Sequence, residues 1–132
     1  MVLISVTPIY AGLLALLFLW LSLRVVQGRF LHRVSVGDGD DKDMRKRMRV
    51  QANWAEYTPI ALILLALCEL QGASGWVLHW AGLSLLAGRS LHAYGFGKTP
   101  QNVTLRRVGM ILTVGTIAGL SLLTIWQATF QG

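Results

Sequence analysis

The sequence predicts an all-α integral membrane protein, in which four transmembrane helices form a bundle within a single domain, residues 1–132. Apolar residues make up 54% of the chain and charged residues only 14%, whereas average soluble domains carry about 25% charged residues. The charges are also clustered, which leaves four stretches long enough to cross roughly 30 Å of hydrocarbon. The four predicted helices cover approximately residues 2–34, 42–70, 74–96 and 104–130.

The first two helices differ in how much charge they carry. The first has no charged residue from Val2 to Leu23, and it lacks the basic N-terminus of a signal peptide. The second is expected to begin near Asp41–Asp43, because acidic residues stabilise the positive end of a helix dipole. Its apolar part contains two carboxylates, Glu56 and Glu69.

The third and fourth helices are separated by a loop with clear turn residues. The third carries Arg89 and is expected to end at about residue 96, with Gly97 in the left-handed cap conformation and Pro100 blocking continuation. Thr104 is the expected N-cap of the fourth helix. That helix is free of charge from residue 108 to residue 130.

The distribution of Lys and Arg predicts the orientation in the membrane. Eight of the twelve basic residues lie between Arg24 and Arg49, and the turn at 71–75 has none. Because cytoplasmic loops are enriched in Lys and Arg, loops one and three are expected in the cytoplasm and both termini outside. The expected outer aromatic belt consists of Tyr10, Trp76, Trp80 and Trp126. The net charge of +6 follows this membrane pattern, so no nucleic-acid partner is expected.

Polar side chains at membrane depth mark the candidate site. At about 100° per residue, Arg49, Asn53 and Glu56 fall within roughly 60° on one face of the second helix, and Tyr57 flanks that face. One interpretation is a structural network in which Arg49 pairs with Glu56 and Asn53 bridges helices, as is common in membrane bundles. The other is a functional site, because intramembrane polar groups are costly unless they are used. No pair of histidines has metal-ligand spacing, so no metal site is expected.

The second helix carries a specific pattern, R-x-Q-x-N-x-x-E-Y-x-P, over residues 49–59. This pattern resembles the signature of the MAPEG family, the membrane-associated proteins in eicosanoid and glutathione metabolism. Residues 29–39 and 88–92 are also similar to the family pattern, especially to its bacterial branch. The resemblance covers nearly the whole chain, and it implies a homotrimer in a bacterial inner membrane.

The resemblance also implies that glutathione binds between protomers, near the cytoplasmic side. The positions that match the family's glutathione contacts are Arg49, Asn53, Glu56 and Tyr57 from one protomer, and Arg29 and Gln51 from its neighbour. His92 matches a position that is histidine in the prostaglandin synthase.

The same resemblance suggests which residue would act on the thiol. Arg106 best matches the fourth-helix arginine that supports the thiolate in the leukotriene-forming synthases, with Arg107 as the alternative. Phe96 is a departure, since characterised eukaryotic members often have tyrosine there. Its presence removes a hydroxyl donor from the implied site.

Three functions are consistent with these features. The first is a glutathione-dependent transferase or peroxidase acting on lipophilic electrophiles. The second is a non-catalytic protein that binds lipid or small hydrophobic ligands, which Phe96 favours. The third is a small multidrug exporter, but those proteins carry their carboxylate on helix one, where this chain has no acidic residue. The expected partners are membrane lipids, a lipophilic small molecule and further copies of the chain.

Overall fold

The computed structural model describes residues 3–131, which form four α-helices. They are α1 (Thr7–His32), α2 (Lys42–Leu70), α3 (Gly75–Gly97) and α4 (Val103–Phe130). The prediction of an all-α fold with four helices is therefore confirmed for this part of the chain. Two of the helices, α1 and α4, are long and apolar enough to cross a membrane by themselves. α2 and α3 have similar lengths, but polar residues interrupt their apolar runs.

The helices form a bundle with α2 and α3 at its centre. α1 and α4 each pack against both central helices, and within residues 3–131 they do not contact each other. We call the end with the α1–α2 and α3–α4 connections the loop end, and the other the terminal end. At the loop end, the core is formed by Leu21, Val50 and Ala93, one residue from each of α1, α2 and α3.

α1 begins at Thr7, five residues later than predicted, and the predicted start at Val2 lies outside the described residues. Pro8 occupies the first turn, where its missing N–H costs nothing. The carboxylate of Glu69, at the end of α2, accepts hydrogen bonds from the backbone N–H groups of Ser5, Val6 and Thr7 at 2.6, 2.7 and 2.8 Å. A side chain from another helix therefore satisfies the free donors at the start of α1.

Replacing Glu69 with glutamine is expected to destabilise the bundle by about 1–2 kcal/mol, because a charged acceptor of three backbone donors becomes a neutral one. Thermal unfolding in detergent, followed by circular dichroism, measures the change. Glu56→Gln is the matched control, since Glu56 lies on the same helix with a half-exposed side chain. Equal melting temperatures for the two variants would contradict the capping role.

The other helix ends confirm one expectation and correct two. α2 begins at Lys42, within the predicted range, and its N-cap, Asp41, accepts a hydrogen bond from the N–H of Met44 at 2.8 Å. α3 ends at Gly97, one residue later than predicted. Gly97 is not left-handed, and the cap residue after it, Lys98, is extended (φ −71°, ψ 147°). The N-cap of α4 is Asn102, not Thr104, because the helix starts at Val103 and Thr104 already lies in its first turn.

The aromatic residues at the terminal end divide into two groups. Trp76, Trp80 and Trp126 are exposed on the bundle surface, as an aromatic belt requires. Tyr10, which was expected to join them, is buried instead. Its hydroxyl oxygen lies 2.8 Å from Nδ1 of His79. Its ring packs against Gly82, where a Cβ atom would collide with it. Tyr10 therefore joins α1 to α3, and the membrane orientation itself stays a prediction.

Candidate functional site

Arg49 and Glu56 form a long, exposed ion pair on α2. Nη1 and Nη2 of Arg49 lie 3.4 and 3.5 Å from Oε1 of Glu56. The two side chains are 52% and 50% exposed. Exposed pairs of this kind contribute little to stability, about 0–1 kcal/mol. Both charged groups are therefore available to a ligand that offers partners of opposite sign.

Behind this pair, Arg89 on α3 is only 2% exposed and is bound by neutral oxygens. Its Nη1 donates to Asn53 Oδ1 at 2.5 Å, and its Nε donates to Thr113 Oγ1 at 2.9 Å. Its guanidinium also lies 5.7 Å from the centre of the Tyr57 ring. Within residues 3–131 no carboxylate lies at ion-pair distance from Arg89. The positive charge is therefore buried next to two predicted site residues, Asn53 and Tyr57.

The sequence places Arg89 within the predicted third helix, but the family resemblance did not include it in the site. Its pairing with Asn53 could not be predicted, because the two residues lie 36 positions apart on different helices. Thr113 was not predicted at all. In the sequence it is only a small polar residue within a charge-free helix. Such residues are common in membrane bundles and do not by themselves indicate a site.

Close packing of α3 against α4 positions Arg89 and its neighbours. A Cβ atom on Gly88 would lie 2.9 Å from the carbonyl oxygen of Gly109. A Cβ atom on Gly109 would in turn collide with the backbone of His92. Small residues at such positions let two helix backbones approach closely. This approach lets Arg89 reach across to Thr113 on α4.

His92, Phe96 and Arg106 form a second group nearer the loop end. His92 is buried, and its ring packs edge-on against Phe96 with 5.6 Å between ring centres. The guanidinium carbon of Arg106 lies 3.9 Å from the centre of the same phenylalanine ring. Arg107 is exposed. The geometry therefore favours Arg106 over Arg107 as the α4 arginine at this site, and Phe96 is the residue that it covers.

The remaining two predicted residues, Gln51 and Arg29, lie elsewhere on the chain. Gln51 is about 160° around α2 from Arg49, and its Nε2 donates to Ser22 Oγ on α1 at 2.9 Å. Arg29 lies seven residues after Ser22, and thus within about 20° on the same face of α1. Its Nη1 donates to the carbonyl oxygen of Gly37 at 3.0 Å.

The predicted site residues, together with Arg89 and Ser22, therefore divide between two faces of the chain. We call the first the front face. Its members are Arg49, Asn53, Glu56, Tyr57, Arg89, His92 and Arg106. We call the second the back face, and it consists of Ser22, Arg29 and Gln51. The single chain does not bring the two faces together, because α1 and α2 place them on opposite sides.

One cluster at the loop end has ligand atoms of the types that bind metals. His32, Asp41 and Asp43 each place one such atom within 4.8 Å of the others. Nε2 of His32 and Nε of Arg47 lie 2.7 and 2.9 Å from the same oxygen of Asp43. The hydrogen bond from His32 and the bond from Arg47 hold the pKa of Asp43 below its ordinary value. The carboxylate of Asp43 is thus already bound by His32 and Arg47. Through the contact with His32, the cluster joins the end of α1 to the start of α2.

The comparisons with known proteins agree with this architecture. The MAPEG family model matches residues 7–126, which include parts of all four helices. The chain is also similar to the inner membrane protein YecN of Escherichia coli K12 and to the protein of the same name from strain CFT073. Each is 38% identical to it over 126 residues, which cover 96% of this chain and 95% of the relative. The chain therefore belongs to the MAPEG family of membrane proteins.

Proposed function

We propose that this protein is a membrane-bound enzyme of the transferase or peroxidase type, which uses glutathione as co-substrate against lipophilic electrophiles. The front face carries the proposal. There a half-exposed arginine and carboxylate, Arg49 and Glu56, stand in front of a buried arginine, Arg89, that has no acidic partner within residues 3–131. Such a face has a surplus of positive charge and unused hydrogen-bonding groups.

The groups of glutathione match those of the front face. Glutathione has two carboxylates, one ammonium group and one thiol. The forked donors of Arg49 suit a carboxylate, because guanidinium binds carboxylates through two parallel hydrogen bonds. Glu56 suits the ammonium group. Binding would exchange the long Arg49–Glu56 contact for shorter contacts to the ligand, at little cost to the fold.

Arg106 is the proposed activator of the thiol. A free thiol has a pKa of about 8.5, and a nearby guanidinium lowers it by favouring the thiolate. Each unit of this shift is worth about 1.4 kcal/mol. In conjugation, the thiolate forms a carbon–sulfur bond while a leaving group departs with its electron pair. In peroxide reduction, two glutathione molecules become the disulfide as the O–O bond breaks to alcohol and water.

The division of the site between two faces supports a homotrimer. If the back face of one protomer meets the front face of the next, Arg29 and Gln51 complete each site. The two faces differ, so the interface is of the head-to-tail kind, which closes into a ring when the rotation allows it. We propose a trimer with four membrane spans per protomer, located in the inner membrane with its loop end in the cytoplasm.

Calorimetric titration of the purified protein in detergent with glutathione tests the proposed function. We expect saturable binding, and at least about tenfold weaker binding by Glu56→Gln, because the ammonium group loses a charged partner worth about 1.5–3 kcal/mol. Asp43→Asn is a control at a carboxylate outside the front face. Unchanged affinity in Glu56→Gln would remove Glu56 from the site.

The second candidate is a non-catalytic protein that binds lipid or another hydrophobic ligand. Phe96 favours it, because the Arg106 guanidinium lies on an aromatic ring that offers no hydroxyl group to a thiolate. A folded oligomer that shows no saturable glutathione binding in the same titration would support this candidate against the enzyme.

A further inference from the structure

A separate cavity of about 310 Å³ opens at the loop end, between α1 and α3. Its floor is apolar and includes Leu21, Val50 and Ala93, the three buried core residues of this end. None of the front-face residues lines this cavity, although Phe96 packs against the same three floor residues. The cavity and the front face therefore use different side chains.

Two cations stacked on aromatic rings flank the cavity. The guanidinium carbon of Arg24 lies 5.3 Å from the centre of the Trp20 ring on α1. Nζ of Lys98, at the end of α3, lies 5.9 Å from the centre of the Tyr94 ring. Within residues 3–131 neither cation forms an ion pair. Both are therefore available to an anion.

The other charges around the cavity are already engaged. Asp43 is the only carboxylate among the described lining residues, and it is bound by His32 and Arg47. Nζ of Lys46 donates to the carbonyl oxygen of Lys98 at 2.6 Å. The free charge at the opening is thus positive, and it comes from Arg24 and Lys98.

An exposed apolar stripe continues from the cavity along α1 toward the terminal end. Ile9, Leu13 and Trp20 share one face of this helix, and all three are exposed. From Arg24 to Ile9 the helix rises about 22 Å, which is comparable to the length of a lipid acyl chain. The cation, the aromatic ring and the apolar stripe therefore occur in the same order as the parts of a phospholipid. The cation corresponds to the phosphate, the ring to the interfacial region and the stripe to the acyl chain.

We propose that this cavity binds the headgroup of an anionic phospholipid from the surrounding bilayer. The phosphate binds between Arg24 and Lys98, the glycerol region enters the cavity, and one acyl chain lies along the exposed stripe of α1. The apolar floor distinguishes this site from a site for a soluble anion. This lipid site uses none of the residues that are proposed to bind glutathione.

Native mass spectrometry of the detergent-solubilised protein tests the proposal, with equal amounts of phosphatidylglycerol and phosphatidylcholine added. We expect phosphatidylglycerol to be retained at least about tenfold better than phosphatidylcholine. Arg24→Gln combined with Lys98→Gln should remove this preference. The charge-matched control combines Arg33→Gln with Lys42→Gln, two exposed residues at the same end that do not line the cavity.

A second variant fills the cavity without changing its charge. Gly97 lines the cavity, its φ is not positive, and a Cβ atom added there would meet no atom within 4 Å. Gly97→Leu should therefore fold normally and retain at least about tenfold less phosphatidylglycerol. Wild-type retention by Gly97→Leu, or equal losses in the two double variants, would overturn the proposal in favour of non-specific surface attraction. Displacement of the lipid by glycerol phosphate alone would also overturn it, because a soluble anion would then suffice.

Discussion

Replacing Arg49 with alanine is expected to weaken glutathione binding at least about thirtyfold and to leave the protein folded. Truncating one partner of a charge-assisted hydrogen bond costs about 2 kcal/mol or more, and about 1.4 kcal/mol corresponds to a factor of ten. The fold should tolerate the change, because the side chain is half exposed and its ion pair with Glu56 is long. Calorimetry measures the affinity, and size-exclusion chromatography reports the oligomer.

Arg45→Ala is the matched control for this variant. Arg45 lies one turn earlier on α2, is exposed to a similar degree and also pairs with a carboxylate, that of Asp38 at 2.6 Å. If affinity depends on the front face rather than on total charge, the control should bind glutathione as the wild type does. If Arg49→Ala unfolds or loses its oligomeric state while Arg45→Ala does not, the Arg49–Glu56 pair is structural instead.

Replacing Arg89 with alanine is expected to destabilise the bundle by about 3–5 kcal/mol, because the change leaves a cavity and also removes the donor on which Asn53 and Thr113 depend. Thr113→Val should cost less, about 1–2 kcal/mol, since Arg89 would keep its bond to Asn53 Oδ1. Thermal unfolding in detergent gives both values. A melting temperature for Arg89→Ala equal to that of the wild type would show that the buried guanidinium does not stabilise the fold.

The sequence predicts contacts within one helix better than contacts between helices. Arg49 and Glu56 lie seven residues apart on α2, so the period of the helix alone places them on one face and predicts their pairing. The N-cap at Asp41 is local for the same reason. Such features depend only on residues that are close in the sequence.

Contacts between helices also depend on how each helix is rotated and how closely it packs. The bond from Arg89 to Asn53, for example, requires α3 to present Arg89 toward α2, and no spacing in the sequence specifies that rotation. The role of Glu69 was missed for a related reason. Its partners are backbone N–H groups at the start of α1, which carry no side-chain signal.

The family resemblance supplied the members of the site, and the structure divides them between two faces. That resemblance assigns Gln51 to the neighbouring protomer, although Gln51 and Arg49 lie only two positions apart in the sequence. On the helix they point in nearly opposite directions, and Gln51 is bonded to Ser22 of its own α1. This division is the physical basis for proposing that each glutathione is bound by two protomers.

Mixed oligomers test that division most directly. Arg49→Ala removes the front-face arginine and Arg29→Ala removes the back-face one, so neither variant should bind glutathione alone. Co-expression with two affinity tags yields oligomers that contain both kinds of protomer. In a head-to-tail trimer, one of the three interfaces then combines an intact Arg49 with an intact Arg29. We predict that these mixed trimers recover about one third of the wild-type binding stoichiometry. Mixed oligomers that bind no glutathione, while the wild type binds it, would contradict a site shared between protomers.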